Sequence, residues 1–225
     1  MRGRVYRAGI SCLGRLGRLA PLTRAIDYFS KVWQRHCKLR VHLRAQGFDG
    51  VIDGGANVGE FADIVRNTLP HADLLCVEPH PECAQVLRQK GFRVVEAALW
   101  RESARLRLNQ PTAASTSSTV KSHNNSNGSR GWDVDALRLD SLQISGQRLL
   151  VKLDLQGCEA EALEGMGTLW KRCAGVLLEV SIGNGGSYES LRDLLTHHGF
   201  YEYSTINELD VDGRVIEADK LWLRH

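Results

Sequence analysis

Val51-Ile52-Asp53-Gly54-Gly55-Ala56-Asn57-Val58-Gly59-Glu60 is the stretch that decides the fold. Val51 and Ile52 are β-branched and follow Gly50, which predicts a short buried strand ending near Asp53. Gly54 and Gly55 permit positive φ and let a ligand approach the backbone with no Cβ in the way. Gly59 lets the helix expected over 58–68 pack close to that strand. The amides at the start of such a helix have no partners within it and suit an anionic or polar ligand end.

A carboxylate in register supports a ligand reading of this turn. Glu78 ends a second apolar strand, Leu74-Leu75-Cys76-Val77, and precedes Pro79. It lies about 20 residues beyond Gly59, where nucleotide-binding folds place the acceptor for ribose hydroxyls. Without Glu78 the turn reads equally well as an ordinary strand–helix connection. With it, a nucleotide is the better reading. Dinucleotide folds want Gly-x-Gly-x-x-Gly, whereas here Asn57 stands between Gly55 and Gly59. Asn is the side chain that best tolerates left-handed backbone.

The 225 residues suit one domain with an appendage, 49–225 preceded by a basic extension over 1–48. The net charge of +3 hides an asymmetry. Residues 1–48 hold eleven Lys/Arg and one acid, Asp27, while the remainder holds 18 Lys/Arg and 25 acids. No apolar run reaches the roughly 20 residues of a membrane span. Arg15 and Arg18 interrupt any apolar leader, which disfavours secretion and predicts a cytoplasmic protein. The six cysteines show no CxxC spacing, so neither a zinc site nor a disulfide framework is expected, and no metal is assigned.

Over 22–45, Leu22, Ile26, Phe29, Trp33, Cys37 and Val41 form one apolar helical stripe. This helix either caps the main domain, with its charges in water, or meets an anionic membrane surface or a protein partner. Strand and helix then alternate: strands over 50–54, 74–78 and 92–97, helices over 58–68 and 81–90. That order implies a parallel sheet with helices on both faces and ligands at the carboxyl ends of its strands. Residues 109–131 are polar and low in complexity, read as a loop that is either a surface insertion or a lid. A strand-like alternation runs from Val134 to Asp140, and a buried strand over 149–155 carries Lys152 and Asp154 on one side. Asp154, Glu159 and Glu179 fall near the carboxyl edge. A helix over 188–199 and two strands joined at Asp212-Gly213 close the chain.

Several blocks together resemble the FkbM-type S-adenosylmethionine (SAM) methyltransferase family. They are Ile52 to Gly59, Val77-Glu78-Pro79, Ala97-Ala98-Leu99, Leu137 to Leu142, Val151 to Ala160 with its Lys-x-Asp-x-Gln-Gly-x-Glu core, and Leu177 to Val180. The resemblance implies a Rossmann-like class I fold. Its seven-stranded sheet is mostly parallel with an antiparallel C-terminal ending. It implies SAM as cofactor and O-methylation of a sugar, glycan or natural-product acceptor. By similarity Asp53, Gly55, Asn57 and Gly59 surround the methionine half and ribose, Glu78 with Pro79 takes the ribose hydroxyls, and Ala97 and Ala98 lie beside adenine. Asp154 faces the cofactor amino group or the acceptor. Gly54 departs from the usual aliphatic residue, which suggests a looser strand end, and Trp100 replaces a small or acidic residue.

A sugar hydroxyl is a poor nucleophile, so a base should take its proton as the C–O bond forms. Asp154 is the first candidate and Glu159 the second, with Lys152 tuning either or acting as a base itself. Two other classes stay open: an NAD(P)-dependent oxidoreductase on a related fold, against which Asn57 argues, and a non-catalytic SAM-binding partner subunit. The acidic main domain makes a nucleic-acid substrate unexpected.

Overall fold

The computed structural model describes residues 22–110, 130–183 and 186–224. The chain divides into two compact units, Met1–Leu39 and Arg40–His225. Of the first, the described part is helical, belonging to α1 (Leu22–Gln46). In the second unit the end of α1 is anchored by Leu43, which is fully buried, and by His42, whose ring nitrogen lies 3.1 Å from the Ser204 hydroxyl. Val41, expected on the apolar stripe, is instead 65% exposed. It lies two residues from Leu43, about 200° away around the helix axis. Most of the rest of that stripe has side chains outside the described residues. No described helix is long and apolar enough to cross a membrane.

The main sheet holds seven strands in the order β3-β2-β1-β7-β8-β10-β9. Its centre is β1 (Gly50–Gly54), with β2 (Asp73–Val77) on one side and β7 (Leu149–Leu153) on the other, both parallel. Parallel strands covered on both faces need apolar residues throughout, and all five positions of β1 are buried. β3 (Arg93–Val95) closes one side of the sheet; beyond β7, β8 (Cys173–Ser181) is the last parallel strand. β9 (Phe200–Val211) and β10 (Arg214–Arg224) form an antiparallel hairpin on β8, joined at Asp212-Gly213, both with positive φ. The mostly parallel seven-stranded sheet with its antiparallel ending is therefore present.

Helices α2 (Glu60–Thr68), α3 (Pro81–Gln89), α4 (Glu159–Glu164) and α5 (Tyr188–His197) lie between the strands. The largest core cluster joins Ile52, Val151, Leu153, Leu178 and Trp222 of the sheet to Leu163, Met166, Leu191 and Leu195.

The run 92–97 is not one strand. β3 stops at Val95, and Ala98–Leu99 forms β4 in a second, three-stranded sheet of order β4-β6-β5. There β5 (Ala104–Gln110) pairs antiparallel with β6 (Arg130–Leu137), so the segment expected to be a loop begins and ends in paired strand. Residues 111–129 lie outside the described residues. Arg105 and Arg107 meet Asp135 and Asp133 directly across the ladder at 2.9 and 3.2 Å, an arrangement that favours this register. The alternation toward Asp140 also breaks. Beyond Leu137 the chain turns into a 3-10 segment, Leu139–Ser141, because Arg138 grips the Asp140 carboxylate with two hydrogen bonds of 2.8 and 2.7 Å. Gly54 does not loosen its strand: a Cβ there would press on Leu99 and Leu153 at 2.7 and 2.8 Å.

Leu149, at the start of β7, is fully buried in the main cluster and far along the strand from its carboxyl end. Leu149→Ala should lower unfolding free energy by about 2–5 kcal/mol through lost burial plus a cavity. Urea denaturation should show a lower midpoint with an unchanged slope.

Candidate functional site

The parallel register brings four strand ends level. Gly54 pairs with Val77 of β2 and with Leu153 of β7, and Leu153 pairs with Leu178 of β8. The residues that follow, Gly55, Glu78, Asp154 and Glu179, therefore lie along one carboxyl edge.

The turn after β1 is held from three directions. Gly55 and Ala56 donate their N–H groups to the Val77 carbonyl, at 2.9 and 3.2 Å. Gly55 has φ 70°, and a Cβ at that position would collide with the Asp154 carbonyl oxygen, so glycine is required twice over. Asn57 has φ 49°, the left-handed conformation its residue type suggested. Its N–H donates to Glu78 Oε2 at 2.7 Å, and the His80 N–H donates to Glu78 Oε1 at 2.9 Å. Glu78 is thus buried and clamped between the glycine turn and its own downstream chain. Burial pushes its carboxyl up, partly offset by these two amides. The helix after the turn begins at Glu60 rather than 58, with Gly59 capping it at φ 89° and packed toward Leu87 of α3. Pro79 is half-buried beside Glu78. Ala97 and Ala98 are buried just past Val95, whose carbonyl accepts the Glu78 N–H at 3.0 Å.

Lys152 lies under the turn. Its ammonium donates to the carbonyls of Gly54 (3.2 Å) and Gly55 (3.0 Å), and lies 3.1 Å from Asp53 Oδ1 and 3.7 Å from Asp154 Oδ2. Asp53 is the Cα partner of Lys152 across β1 and β7 and is completely buried. Apart from the ammonium at 3.1 Å from Oδ1, neither Asp53 oxygen has a polar partner among the described residues. The Asp53–Lys152 contact is chiefly coulombic, with a smaller hydrogen-bond contribution. Burial pushes Asp53 up. Desolvation works against the charge on Lys152, but Asp53 and Asp154 outweigh it and hold the lysine protonated above its ordinary range.

Glu159 opens α4 and is buried, and its Oε1 accepts the N–H groups of Leu155 (2.8 Å) and Gly157 (3.1 Å). It braces the 154–158 turn, in which Gln156 and Gly157 both have positive φ. The Gln156 side chain, given no role from sequence, donates to Asp154 Oδ1 at 3.0 Å and to Glu179 Oε2 at 3.2 Å. Glu179 is pushed up to about 9, chiefly by burial and then by the neighbouring carboxylates of Asp154 and Glu217. Glu217 comes from β10, and only the antiparallel hairpin brings it there; no local spacing announces it. Among the described residues no three His, Cys, Asp or Glu side chains are arranged to hold a metal ion.

This edge brings together several acids, the lysine beneath the turn, a left-handed glycine turn, and a carboxylate fixed by one amide on each oxygen. It suits a cationic ligand that carries a ribose.

The family model described as the methyltransferase FkbM domain matches residues 53–201. No curated protein sequence matches the chain. Among solved structures it is similar to a methyltransferase FkbM from Methylobacillus flagellatus KT, at 13% identity and TM-score 0.49, covering 78% of this chain and 43% of that one. The chain thus spans less than half the length of that relative. It is also similar to a precorrin-6y C5,15-methyltransferase from Geobacter metallireducens GS-15, at 14% identity and TM-score 0.48, covering 84% and 86%. A third is a TehB-like SAM-dependent methyltransferase from Corynebacterium glutamicum, at 10% identity and TM-score 0.47, covering 88% and 97%.

A raised carboxyl means the folded chain holds a proton that the unfolded chain releases. Stability from Glu179 is complete below its ordinary value of 4.5 and is lost as pH climbs toward about 9. Thermal midpoints of the ligand-free protein should therefore fall between pH 5 and 9, and Glu179→Gln should flatten that decline.

Proposed function

We propose that this chain, which belongs to the methyltransferase FkbM domain family, moves a methyl group from SAM to a hydroxyl oxygen of a glycan or natural-product acceptor. Family membership makes it a methyltransferase with SAM as cofactor; the oxygen acceptor is the proposal. When bound, SAM supplies an already activated methyl group on a sulfonium centre.

The residues present fit that group. Gly55 and Asn57 hold left-handed backbone, and Gly55 lets the turn close onto the Asp154 carbonyl that a Cβ would strike. Glu78 is fixed by one amide on each oxygen and keeps acceptor capacity for ribose hydroxyls. Asp53 and Asp154 set two carboxylates against the one ammonium of Lys152 at these strand ends, an excess favourable to a cation. Asp53, Gly55, Asn57, Gly59, Glu78 and Pro79, with Ala97 and Ala98, would hold the cofactor.

Of the three candidates for proton removal, Asp154 is favoured. Its side chain is 33% exposed and lies directly after the strand that supports the glycine turn. Its position carries the reading: the Asp154 backbone meets the turn at Gly55, while its carboxylate, with Oδ1 held by Gln156 and Oδ2 3.7 Å from Lys152, keeps a third of the side chain exposed to an acceptor. Glu159 is buried with its Oε1 committed to two loop amides, which suits bracing rather than catalysis. Lys152 is held protonated and spends its hydrogen bonds on the turn, so it orients the loop. Alignment of the acceptor oxygen supplies further rate by removing orientational freedom before reaction.

Radiolabelled methyl transfer to a panel of glycans and natural products should identify the acceptor class. On that acceptor, Asp154→Asn should lower turnover about 10²–10⁴-fold, the range of a lost general base. Affinity for S-adenosylhomocysteine should change far less. Normal turnover by Asp154→Asn would overturn its role.

A further inference from the structure

We propose that the exposed side of the α1 end, together with the adjoining edge of β9, docks the protein on an anionic lipid surface. Over residues 40–46 the helix has two distinct sides. Arg40, Val41, Arg44 and Ala45 fall within about 140° of one another around its axis, and all four are exposed. Leu43, on the other side, is fully buried, and His42 beside it is tied to Ser204. The apolar stripe that periodicity traces along α1 thus ends on Val41, a residue left 65% exposed.

The strand beside this helix end continues the surface. β9 is the outermost strand of the main sheet. Tyr201 and Tyr203 alternate onto one of its faces, and they are 39% and 40% exposed. The His42 ring meets Tyr203 edge-on with centroids 5.3 Å apart, and Tyr203 meets Tyr201 at 6.5 Å. Helix end and strand edge therefore form one surface, in which a valine and two phenol rings lie beside two arginines. Glu202, between the tyrosines, does not add its charge there. It turns to the other face, where it accepts hydrogen bonds from Lys220 at 2.6 Å and from Tyr188 at 2.7 Å.

Charge makes the partner anionic. Residues 1–48 carry eleven Lys/Arg against one acid, and anionic lipid attracts such basic segments. The uncharged members favour a bilayer over a soluble polyanion. Tyrosine suits the headgroup layer, where one end of the ring is apolar and the other wet. Arginine lays its stem on apolar surface while its charge stays at the phosphates. An exposed valine gains nothing from a soluble polyanion, but a bilayer interface removes it from water. The placement is also consistent with a crevice left open. β9 runs parallel to β8, since β10 is antiparallel to both. Tyr201 and Tyr203 therefore lie near the amino edge of the sheet, and docking there leaves the carboxyl edge uncovered.

The test is co-sedimentation of the full chain with vesicles of phosphatidylglycerol and phosphatidylcholine in equal parts, against vesicles of phosphatidylcholine alone. Wild type should bind the anionic vesicles about tenfold or more tightly than the neutral ones, and salt should release it. Arg40→Glu combined with Arg44→Glu should weaken binding about tenfold or more. Val41→Asp should weaken it in the same direction. Arg88→Glu combined with Arg192→Glu makes the same charge change at exposed sites on α3 and α5 and should have far less effect. All of these positions are exposed, so circular dichroism and thermal midpoints should match wild type. Equal loss in the α3 and α5 pair would reduce the effect to net charge and overturn the surface. Absence of wild-type binding to anionic vesicles, or equal binding to both kinds, would overturn the proposal. Retention on heparin without vesicle binding would assign the arginines to a soluble polyanion and overturn it likewise.

Discussion

One buried ammonium organises the carboxyl edge of this sheet. Lys152 reaches from β7 beneath the turn after β1, bonding the carbonyls of Gly54 and Gly55 and neutralising Asp53. A buried ion pair is poor evidence for stability, since desolvation consumes most of what attraction returns. Here its consequence is geometric. Two consecutive carbonyls drawn toward one cation direct the turn, and Gly55 can follow because it has no Cβ to strike the Asp154 carbonyl. The left-handed run through Gly55, Asn57 and Gly59 then presents the Asn57 amide to Glu78. Removal of the charge would leave Asp53 buried with no counter-ion and the turn without its anchor.

From that anchor the site is assembled by register rather than by proximity in sequence. β1, β2, β7 and β8 end level, so Glu78, Asp154 and Glu179 converge although a hundred residues separate the first from the last. The hairpin of β9 and β10 adds Glu217 from a fifth strand. Two braces hold the acid loop while leaving Asp154 accessible: Glu159 on the amides of Leu155 and Gly157, and Gln156 across Asp154 and Glu179. The second sheet starts where β3 stops, and through β6 it returns Trp132 to the neighbourhood of Glu78.

Much of this was legible in the sequence, for physical reasons. A β-branched pair followed by glycines and Asn57 can do little else than end a strand and turn through positive φ. The Asp212-Gly213 turn was readable on the same grounds, as both residues adopt positive φ. The failures share a cause. Val94-Val95-Glu96-Ala97-Ala98-Leu99 is continuous in β propensity, and only tertiary pairing splits it between two sheets. Polar composition over 109–131 concealed strand ends at Asn109–Gln110 and Arg130–Gly131, because charged cross-strand partners rather than apolar residues fix that ladder. Helical spacing placed Val41 on the buried stripe, while the fold buries Leu43. Lys152, Asp154 and Glu159 were recognised as a group, but spacing could not say which would brace a loop and which would stay open. That depended on backbone angles at Gln156 and Gly157, which no side-chain pattern encodes.

A crystal structure of the chain with S-adenosylhomocysteine bound is decisive. The ribose hydroxyls should lie on the Glu78 carboxylate and the amino-acid half against Gly55 and Asn57, with Lys152 still bridging Asp53 and the turn. Ligand density elsewhere in the chain, or a complex in which Glu78 makes no contact with the ribose, would contradict the assignment of this edge as the cofactor site.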